Sequence, residues 1–250
     1  MPGSGTLVLL RHGESALNAE GRFTGLLDPP LTCRGRDDAD GAAALIAEAG
    51  LAPTRIFTST LRRAIDTADI AARILGITRA PARAWQLNER NYGSLTGRCK
   101  AELLSEFGPE VMHFWRRTLY GTPPPMDWEA LGRLRRSPAL AAVPAGTVQA
   151  TESLCRVAGR VRDFWHESLR PLLLQGHTVL CVGHGNSLRA LCLLLDGLGE
   201  AELEGLNIPT GQPLVYRTDG NARPLIRGGR YLDPQAARRA AEKVAAAGGT

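Results

Sequence analysis

The sequence predicts an α/β fold, a mainly parallel sheet flanked by helices. Three observations carry that reading. Leu7–Leu10 and His177–Val182 are short apolar runs of strand length rather than helix length. Alanine- and leucine-rich stretches with helical spacing alternate with the strand-like runs. Each of the two runs also stops at a polar cluster, Arg11-His12-Gly13-Glu14 in one case and Gly183-His184-Gly185-Asn186 in the other. Chemistry-bearing residues therefore sit at strand carboxyl ends, where open α/β sheets bind ligands.

In chain order, Leu7–Leu10 reads as a buried parallel strand. Thr32 caps a helix that runs through an alanine-rich stretch to Gly50, the glycine acting as a stop. Arg55–Ser59 is a second strand and Arg62–Leu75 a helix stopped by Gly76. Trp85–Gly93 is irregular and polar. Lys100–Phe107 and Glu110–Leu119 are two short helices. Gly121–Gly146 carries five prolines, an arginine cluster and little periodicity, and reads as a long loop. Thr151 starts the strongest helix, which runs to about Leu174 with Leu154, Val157, Val161, Phe164, Trp165, Leu169 and Leu172 on its apolar face. His177–Val182 is a strand, Leu188–Leu195 an apolar helix, Leu214–Arg217 a last strand and Asp233–Ala247 a terminal helix followed by Gly-Gly-Thr. No repeat or linker divides the chain. It reads as one domain over residues 1–250, with a helical and loop insertion at about 94–150 and a mobile tail from about 228.

The 250 residues are enough for a sizeable core, and 44% apolar with 22% charged residues is a globular composition. The net charge of +5 is almost all arginine, since Lys100 and Lys243 are the only lysines. That excess favours anionic partners. Without a dense basic run and interleaved aromatics, nucleic acid is not expected among them. Five cysteines, Cys33, Cys99, Cys155, Cys181 and Cys192, are far apart, odd in number and without metal-ligand spacing. They read as reduced, mostly buried thiols. No apolar run approaches signal-peptide or membrane length, so the expected location is the cytoplasm, without membrane association.

A lone histidine is most often a core or surface residue. His12 and His184 share one context, each following a strand and each followed by glycine. If the two strands are neighbours, both imidazoles face one crevice. Two imidazoles could bind zinc, with Glu14 or Glu89 as a third ligand, although no further His or Cys has suitable spacing. They could also support nucleophilic catalysis, because neutral imidazole accepts phosphoryl groups at neutral pH. Phosphoryl transfer needs positive charge on the phosphoryl oxygens and a proton donor for the leaving oxygen. Arg11, Arg62 and Arg63 lie at strand carboxyl ends and can supply the charge. Glu89, in the polar stretch Leu87–Gly93, can be the acid, although beside Arg90 it also reads as a paired surface carboxylate.

Arg11-His12-Gly13-Glu14-Ser15 with Asn18 resembles the signature of the histidine phosphatase superfamily. Phe23-Thr24-Gly25, Thr58-Ser59 with Arg63-Ala64-Ile65, Leu87-Asn88-Glu89-Arg90 with Tyr92-Gly93, and Trp115-Arg116-Arg117 are similar to the 2,3-bisphosphoglycerate-dependent phosphoglycerate mutases. So are Thr151-Glu152-Ser153-Leu154, His184-Gly185-Asn186-Ser187-Leu188-Arg189-Ala190 and Leu206-Asn207-Ile208-Pro209-Thr210-Gly211. The ordered set spans residues 7 to about 217, and as a set it is highly specific.

The resemblance implies a phosphoglycerate mutase-like fold and the interconversion of 3-phosphoglycerate and 2-phosphoglycerate, primed by 2,3-bisphosphoglycerate, with no metal. It implies His12 as the phosphorylated nucleophile, with Arg11, Arg63 and His184 holding the transferring group. Glu89 is implied as the proton donor and acceptor. Ser15, Asn18, Thr24, Gly25, Arg90, Tyr92, Lys100, Arg116, Arg117, Gly185 and Asn186 are implied as substrate-binding. From spacing alone, Lys100, Arg116 and Arg117 read as a solvated basic face; the resemblance puts them at the far end of a small phosphorylated acid. A homodimer or homotetramer is implied as well. A phosphatase of the same fold, or a non-catalytic module on it, are the competing readings. Asn91, Leu17 and Asp66 depart from the usual His, Trp and His of the family, and Met126–Ala150 lacks its acidic, tyrosine-rich character.

Overall fold

A computed structural model describes residues 4–246. The expected terminal Gly-Gly-Thr and the last residue of the terminal helix, Ala247, lie outside the described residues. The chain runs β1 (Thr6–Arg11), α1 (Ala16–Ala19), α2 (Cys33–Glu48), β2 (Arg55–Thr58), α3 (Arg62–Ile74), β3 (Ala82–Arg83) and α4 (Lys100–Arg117). It continues through α5 (Trp128–Arg135), α6 (Leu154–Phe164), α7 (Arg170–Leu174), β4 (Thr178–Gly183) and α8 (Gly185–Asp196). The last elements are α9 (Glu200–Gly205), β5 (Leu214–Arg217), β6 (Arg230–Tyr231) and α10 (Pro234–Ala246). The strands form one sheet in the order β3-β2-β4-β1-β5-β6. Strands β3, β2, β4 and β1 are parallel, β5 pairs antiparallel with β1, and β6 pairs antiparallel with β5 at the edge.

The period-2 geometry of strands explains why β1 is apolar at every position. Leu7 and Leu9 point to one face, where they meet Val179, Cys181 and the apolar sides of α6 and α8. Val8 and Leu10 point to the other, with Ile56, Leu180 and Val182 against α2 and α3. The second face is lined by alanines, among them Ala42, Ala43, Ala64, Ala68 and Ala71, so α2 and α3 approach the sheet closely. At about 25 cal/mol per Å² of apolar surface removed from water, this two-sided burial is the main stabilising term.

Thr32 caps α2 as expected, its Oγ1 accepting from Gly35 N at 3.0 Å. Lys100–Phe107 and Glu110–Leu119 are confirmed as two helical pieces, because Gly108 (φ 77°, ψ 165°) breaks α4 before Pro109. Three expectations need correction. Gly121–Gly146 is not all loop: Asp127 caps α5, accepting from Ala130 N at 2.7 Å, and Leu134 and Leu140 bury against Leu26 and Leu61. That helix is held by tertiary packing, which proline density in the sequence conceals. The helix expected from Thr151 begins after Ser153, whose side chain is the cap, and passes through a π-helical turn at Trp165–Leu169 before α7. Of the cysteines only Cys181 and Cys192 are buried; Cys33 and Cys155 are exposed.

Gly13 has a steric reason. A Cβ there would meet the carbonyl oxygen of Gly35 at 1.9 Å, because the loop after β1 lies directly on the first turn of α2. Gly13→Ala is therefore expected to cost about 1–3 kcal/mol, the usual scale of overpacking. For a chain of this size that is roughly 2–4 °C in Tm per kcal/mol. A melting temperature unchanged in calorimetry would show that the two backbones can separate freely.

Candidate active site

Strands β1 and β4 are hydrogen-bonded parallel neighbours with Arg11 opposite Gly183. This register puts His12 and His184 side by side at the same sheet end. Their ring centroids are 4.8 Å apart at 61°. Both rings are buried. The sharp turn from β4 into α8 also aims the first turn of that helix, Gly185-Asn186-Ser187, at the same point. The apolar helix expected from Leu188 thus starts earlier, at Gly185; its first turn is polar and leaves no apolar signal.

Hydrogen bonding determines the protonation of His12. Nδ1 lies 2.7 Å from the Gly13 carbonyl oxygen, which can only accept, so Nδ1 carries the proton. Nε2 receives a hydrogen bond from Arg63 Nε at 3.2 Å, and a guanidinium can only donate. The Nε2 lone pair therefore faces the cleft side occupied by Arg63. Burial first, then Arg63 and Arg11, hold the His12 pKa well below the usual histidine range, so the ring is neutral at physiological pH. His184 is lowered in the same way, by burial first and then Arg63. Its Nε2 lies 2.7 Å from Ser59 Oγ, which already accepts from Leu61 N. The buried His184 Nδ1 has no hydrogen-bond partner among the described residues.

Arg63 is fixed by two carbonyls, with Nη1 donating to Leu27 at 2.7 Å and Nη2 to Gly25 at 2.9 Å. Arg62, also a candidate from its position, turns outward and pairs with Asp66 at 3.5 Å. Arg11 donates to the Ile208 carbonyl at 2.9 Å through Nη1, while its buried Nε has no partner among the described residues. Glu89 is buried, and its Oε1 accepts from Arg90 N at 2.7 Å and from Asn186 Nδ2 at 2.9 Å. Asn186 Nδ2 also donates to Tyr92 Oη at 2.8 Å. Glu89 does not pair with the Arg90 side chain, which donates to the Trp115 carbonyl and lies 4.8 Å over the Tyr92 ring.

Above His12 lies a cleft with about 380 Å³ of empty space, its open mouth included. Arg11, His12, Asn18, Thr24, Gly25, Arg63, Glu89, Tyr92, Lys100 and Arg116 line it, as do Arg22 and Phe23, which sequence reasoning had not picked as binding residues. Lys100 and Arg116 gather round the Phe23 ring at 5.8 and 5.0 Å. Arg117 does not line this cleft; its Nε and Nη2 donate to the carbonyls of Glu204 and Leu206. Ser15 sits behind the wall, its Oγ donating to Asn18 Oδ1 at 2.8 Å. Gly185 contributes backbone at the start of α8. Burial first, then Arg116 and Arg11, push the Lys100 pKa down to about 8. Five cations, Arg11, Arg22, Arg63, Lys100 and Arg116, thus line the cleft with one carboxylate, and the partnerless Nε–H of Arg11 adds to a site suited to an anion with several acceptor oxygens. Among the described residues no three His, Cys, Asp or Glu side chains come together as a metal site, so Glu14 and Glu89 do not complete one with the histidines.

Two further residues support the site from behind. Arg160, on α6, donates to the carbonyls of Gln86, Asn88 and Glu89 and pairs with Glu152, whose Oε2 accepts from Asn91 N at 3.0 Å. Asn91 also bonds the Gln149 carbonyl, so this departure from the family pattern ties the loop of Glu89 to the segment before α6. Nothing in the sequence singles out Arg160, because apart from Glu152 its partners are backbone atoms about 70 residues away.

Residues 7–227 match the profile of the histidine phosphatase superfamily, branch 1. The chain belongs to this superfamily. Sequence relatives within it include the 2,3-bisphosphoglycerate-dependent phosphoglycerate mutase of Thermobifida fusca, 45% identical over 96% of this chain and 97% of that one. The protein of the same name from Corynebacterium jeikeium is 46% identical over 98% and 96%. Among solved structures, the histidine phosphatase fold recurs in Bacillus stearothermophilus YhfR, at TM-score 0.66 and 26% identity over 91% of this chain and 98% of that one. It recurs also in an Escherichia coli protein described as a putative alpha-ribazole-5'-P phosphatase, at TM-score 0.65 and 20% identity over 91% and 97%. No helix of the described residues is long and apolar enough to cross a membrane.

Proposed function

We propose that this histidine phosphatase superfamily member interconverts 3-phosphoglycerate and 2-phosphoglycerate, a step of glycolysis and gluconeogenesis, through a phosphohistidine on His12. One observation carries the reading: the cleft over His12 Nε2 holds Lys100 and Arg116 in addition to Arg11 and Arg63. A single phosphoryl group is satisfied by Arg11, Arg63 and His184, whereas a second pair of cations suits a carboxylate or a second phosphate. The mutase names of relatives about 45% identical over nearly the whole chain support the same conclusion.

In this reading His12 Nε2 attacks phosphorus as the bond to the substrate oxygen breaks. Arg11, Arg63 and His184 neutralise the charge on the phosphoryl oxygens. Glu89 gives its proton to the leaving alkoxide and takes one from the hydroxyl that next receives the phosphoryl group. 2,3-Bisphosphoglycerate supplies the phosphoryl group that first charges His12. Lys100 and Arg116, with Asn18, Thr24 and Tyr92, hold the far end, while Ser15, Arg90, Arg117, Gly185 and Asn186 set the wall behind it. The charge on the phosphoryl oxygens is met by arginine, and no step in this reading calls for a metal. The reading treats residues 1–250 as one unit acting in the cytoplasm as a homodimer or homotetramer, with about 94–150 as an insertion framing the cleft and a mobile tail from about 228.

The test separates isomerisation from hydrolysis. Each charge-assisted hydrogen bond is worth about 1.5–3 kcal/mol, so losing two should weaken retention of the bisphosphate by at least roughly tenfold. The Lys100→Met, Arg116→Ala double variant is expected to lose isomerisation far more than hydrolysis, both rates being read on one preparation with primer in excess. A parallel fall would return the site to a phosphatase with a general anion funnel.

Lys100 also predicts a pH dependence. Its pKa is depressed to about 8, so the free side chain is charged below that pH and neutral above it. An anion binds the charged form, so kcat/KM should fall as pH rises above about 8, approaching roughly tenfold per unit. Lys100→Arg, charged throughout, should flatten this limb. An identical alkaline limb in the Lys100→Arg variant would assign it to another group.

A further inference from the structure

Arg189 belongs to none of the groups that face the cleft, yet it touches both halves of the machinery from behind. It lies on α8 one turn after Asn186 and is fully buried. Its Nη1 donates to Asn186 Oδ1 at 3.1 Å and, more distantly, to the Arg116 carbonyl at 3.4 Å. Its Nη2 donates to the carbonyls of Arg117 at 2.9 Å and Leu203 at 2.7 Å. Burial, with Arg117 and Arg90 adding repulsion, pushes its pKa down to about 9, which still leaves it charged at neutral pH. A buried cation held by three carbonyls and one amide oxygen is costly unless its geometry is used.

The use follows from donor and acceptor chemistry. A guanidinium can only donate, so the Asn186 amide must turn its oxygen to Arg189 and its nitrogen to the other side. On that side the two hydrogens of Nδ2 meet Glu89 Oε1 at 2.9 Å and Tyr92 Oη at 2.8 Å. Turned over, the amide would set an oxygen against the Glu89 carboxylate. With Arg90 N also on Oε1, that oxygen is occupied and Oε2 is left for proton transfer. The same guanidinium pins the last carbonyls of α4, in the piece after Gly108 that brings Arg116 to the cleft.

Resting on the mutase reading above, we propose that Arg189 is a positioning residue. Through the Asn186 amide it orients Glu89, and through the carboxyl end of α4 it aligns Arg116, which grips the far end of the substrate. It does not touch the substrate.

The test uses the full chain with two phosphoryl donors. An alkyl phosphate such as 3-phosphoglycerate needs a proton on its leaving oxygen and so needs Glu89. p-Nitrophenyl phosphate releases a stabilised phenolate and does not. Arg189→Lys keeps the charge but loses the fork. It is expected to lower primed isomerisation by at least roughly tenfold, because misplacing a catalytic group by about 1 Å costs up to 10². Charging of His12 by the aryl phosphate should stay within about twofold. In a cycle with Asn186→Ala, kcat of the double variant should fall little below that of Asn186→Ala alone, since the amide link to Glu89 serves both residues, while loss of the α4 link adds a further rise in KM. Asn186→Ala reads the amide link by itself should Arg189→Lys fail to fold: it must lower alkyl transfer more than aryl transfer. Equal loss with both donors, or kcat losses that multiply in the cycle, would reduce Arg189 to a packing role. If the wild type itself fails to isomerise, the mutase reading falls but the inference is still decided, by comparing alkyl with aryl phosphate hydrolysis in the same variants.

Discussion

His12→Ala is expected to take up no phosphoryl group from labelled 2,3-bisphosphoglycerate, where the wild type gives an acid-labile, base-stable phosphoenzyme. Turnover should fall on the order of 10⁶-fold, the scale seen when a nucleophile is removed from a site whose other groups remain. The structural reason lies in two hydrogen bonds. Gly13 holds the proton on Nδ1, so the lone pair is on Nε2, where Arg63 Nε donates to it at 3.2 Å and must yield to phosphorus during attack. No other group in the cleft combines a lone pair, neutrality and adjacent cations. His184 is fully buried, does not line the cleft, and has its Nε2 2.7 Å from Ser59 Oγ. Label retained by His12→Ala would overturn the assignment and move the nucleophile to His184.

Glu89→Gln is expected to keep KM within a few fold while kcat falls by roughly 10²–10⁴, the range for a positioned proton-transfer group. The substitution is nearly isosteric. The amide oxygen can still accept from Arg90 N and Asn186 Nδ2, so the 86–89 loop held by Arg160 should not move. What is lost is the exchangeable proton on the second oxygen. Steady-state kinetics with 3-phosphoglycerate, and a parallel assay with p-nitrophenyl phosphate, read the two parts separately. Unchanged turnover on the alkyl substrate would place the proton transfer elsewhere, with Tyr92 the nearest candidate through Asn186.

Much of the site was legible because it is written locally. An apolar run followed by Arg-His-Gly is a strand followed by a turn that lines the candidate site, and β1 folds that way because all four of its inner side chains are buried on two faces. Thr32 before an alanine-rich run and Gly76 after one gave the ends of α2 and α3 to within two residues. Short elements without a pattern of their own were not legible. The two-residue strands β3 and β6, and the acidic helix α9, show no periodicity. Helix α5 exists because Leu134, with nearby Leu140, finds Leu26 and Leu61, partners far away in the chain.

The sequence by itself determined the chemistry available: which strand ends carry imidazole, arginine and carboxylate, and that these suffice for phosphoryl transfer. Side-chain type and local spacing encode that directly. Only the tertiary structure decided which of those groups meet. Parallel pairing of β1 with β4 set His12 beside His184, and Arg63 rather than Arg62 turned inward to the two carbonyls that hold it. It also decided that Arg117 serves the contact of α4 with α9, and that Arg160 and Arg189 hold the site from behind. Those roles depend on backbone carbonyls from distant segments. Every residue offers such a carbonyl, so no sequence pattern marks the one that will be used.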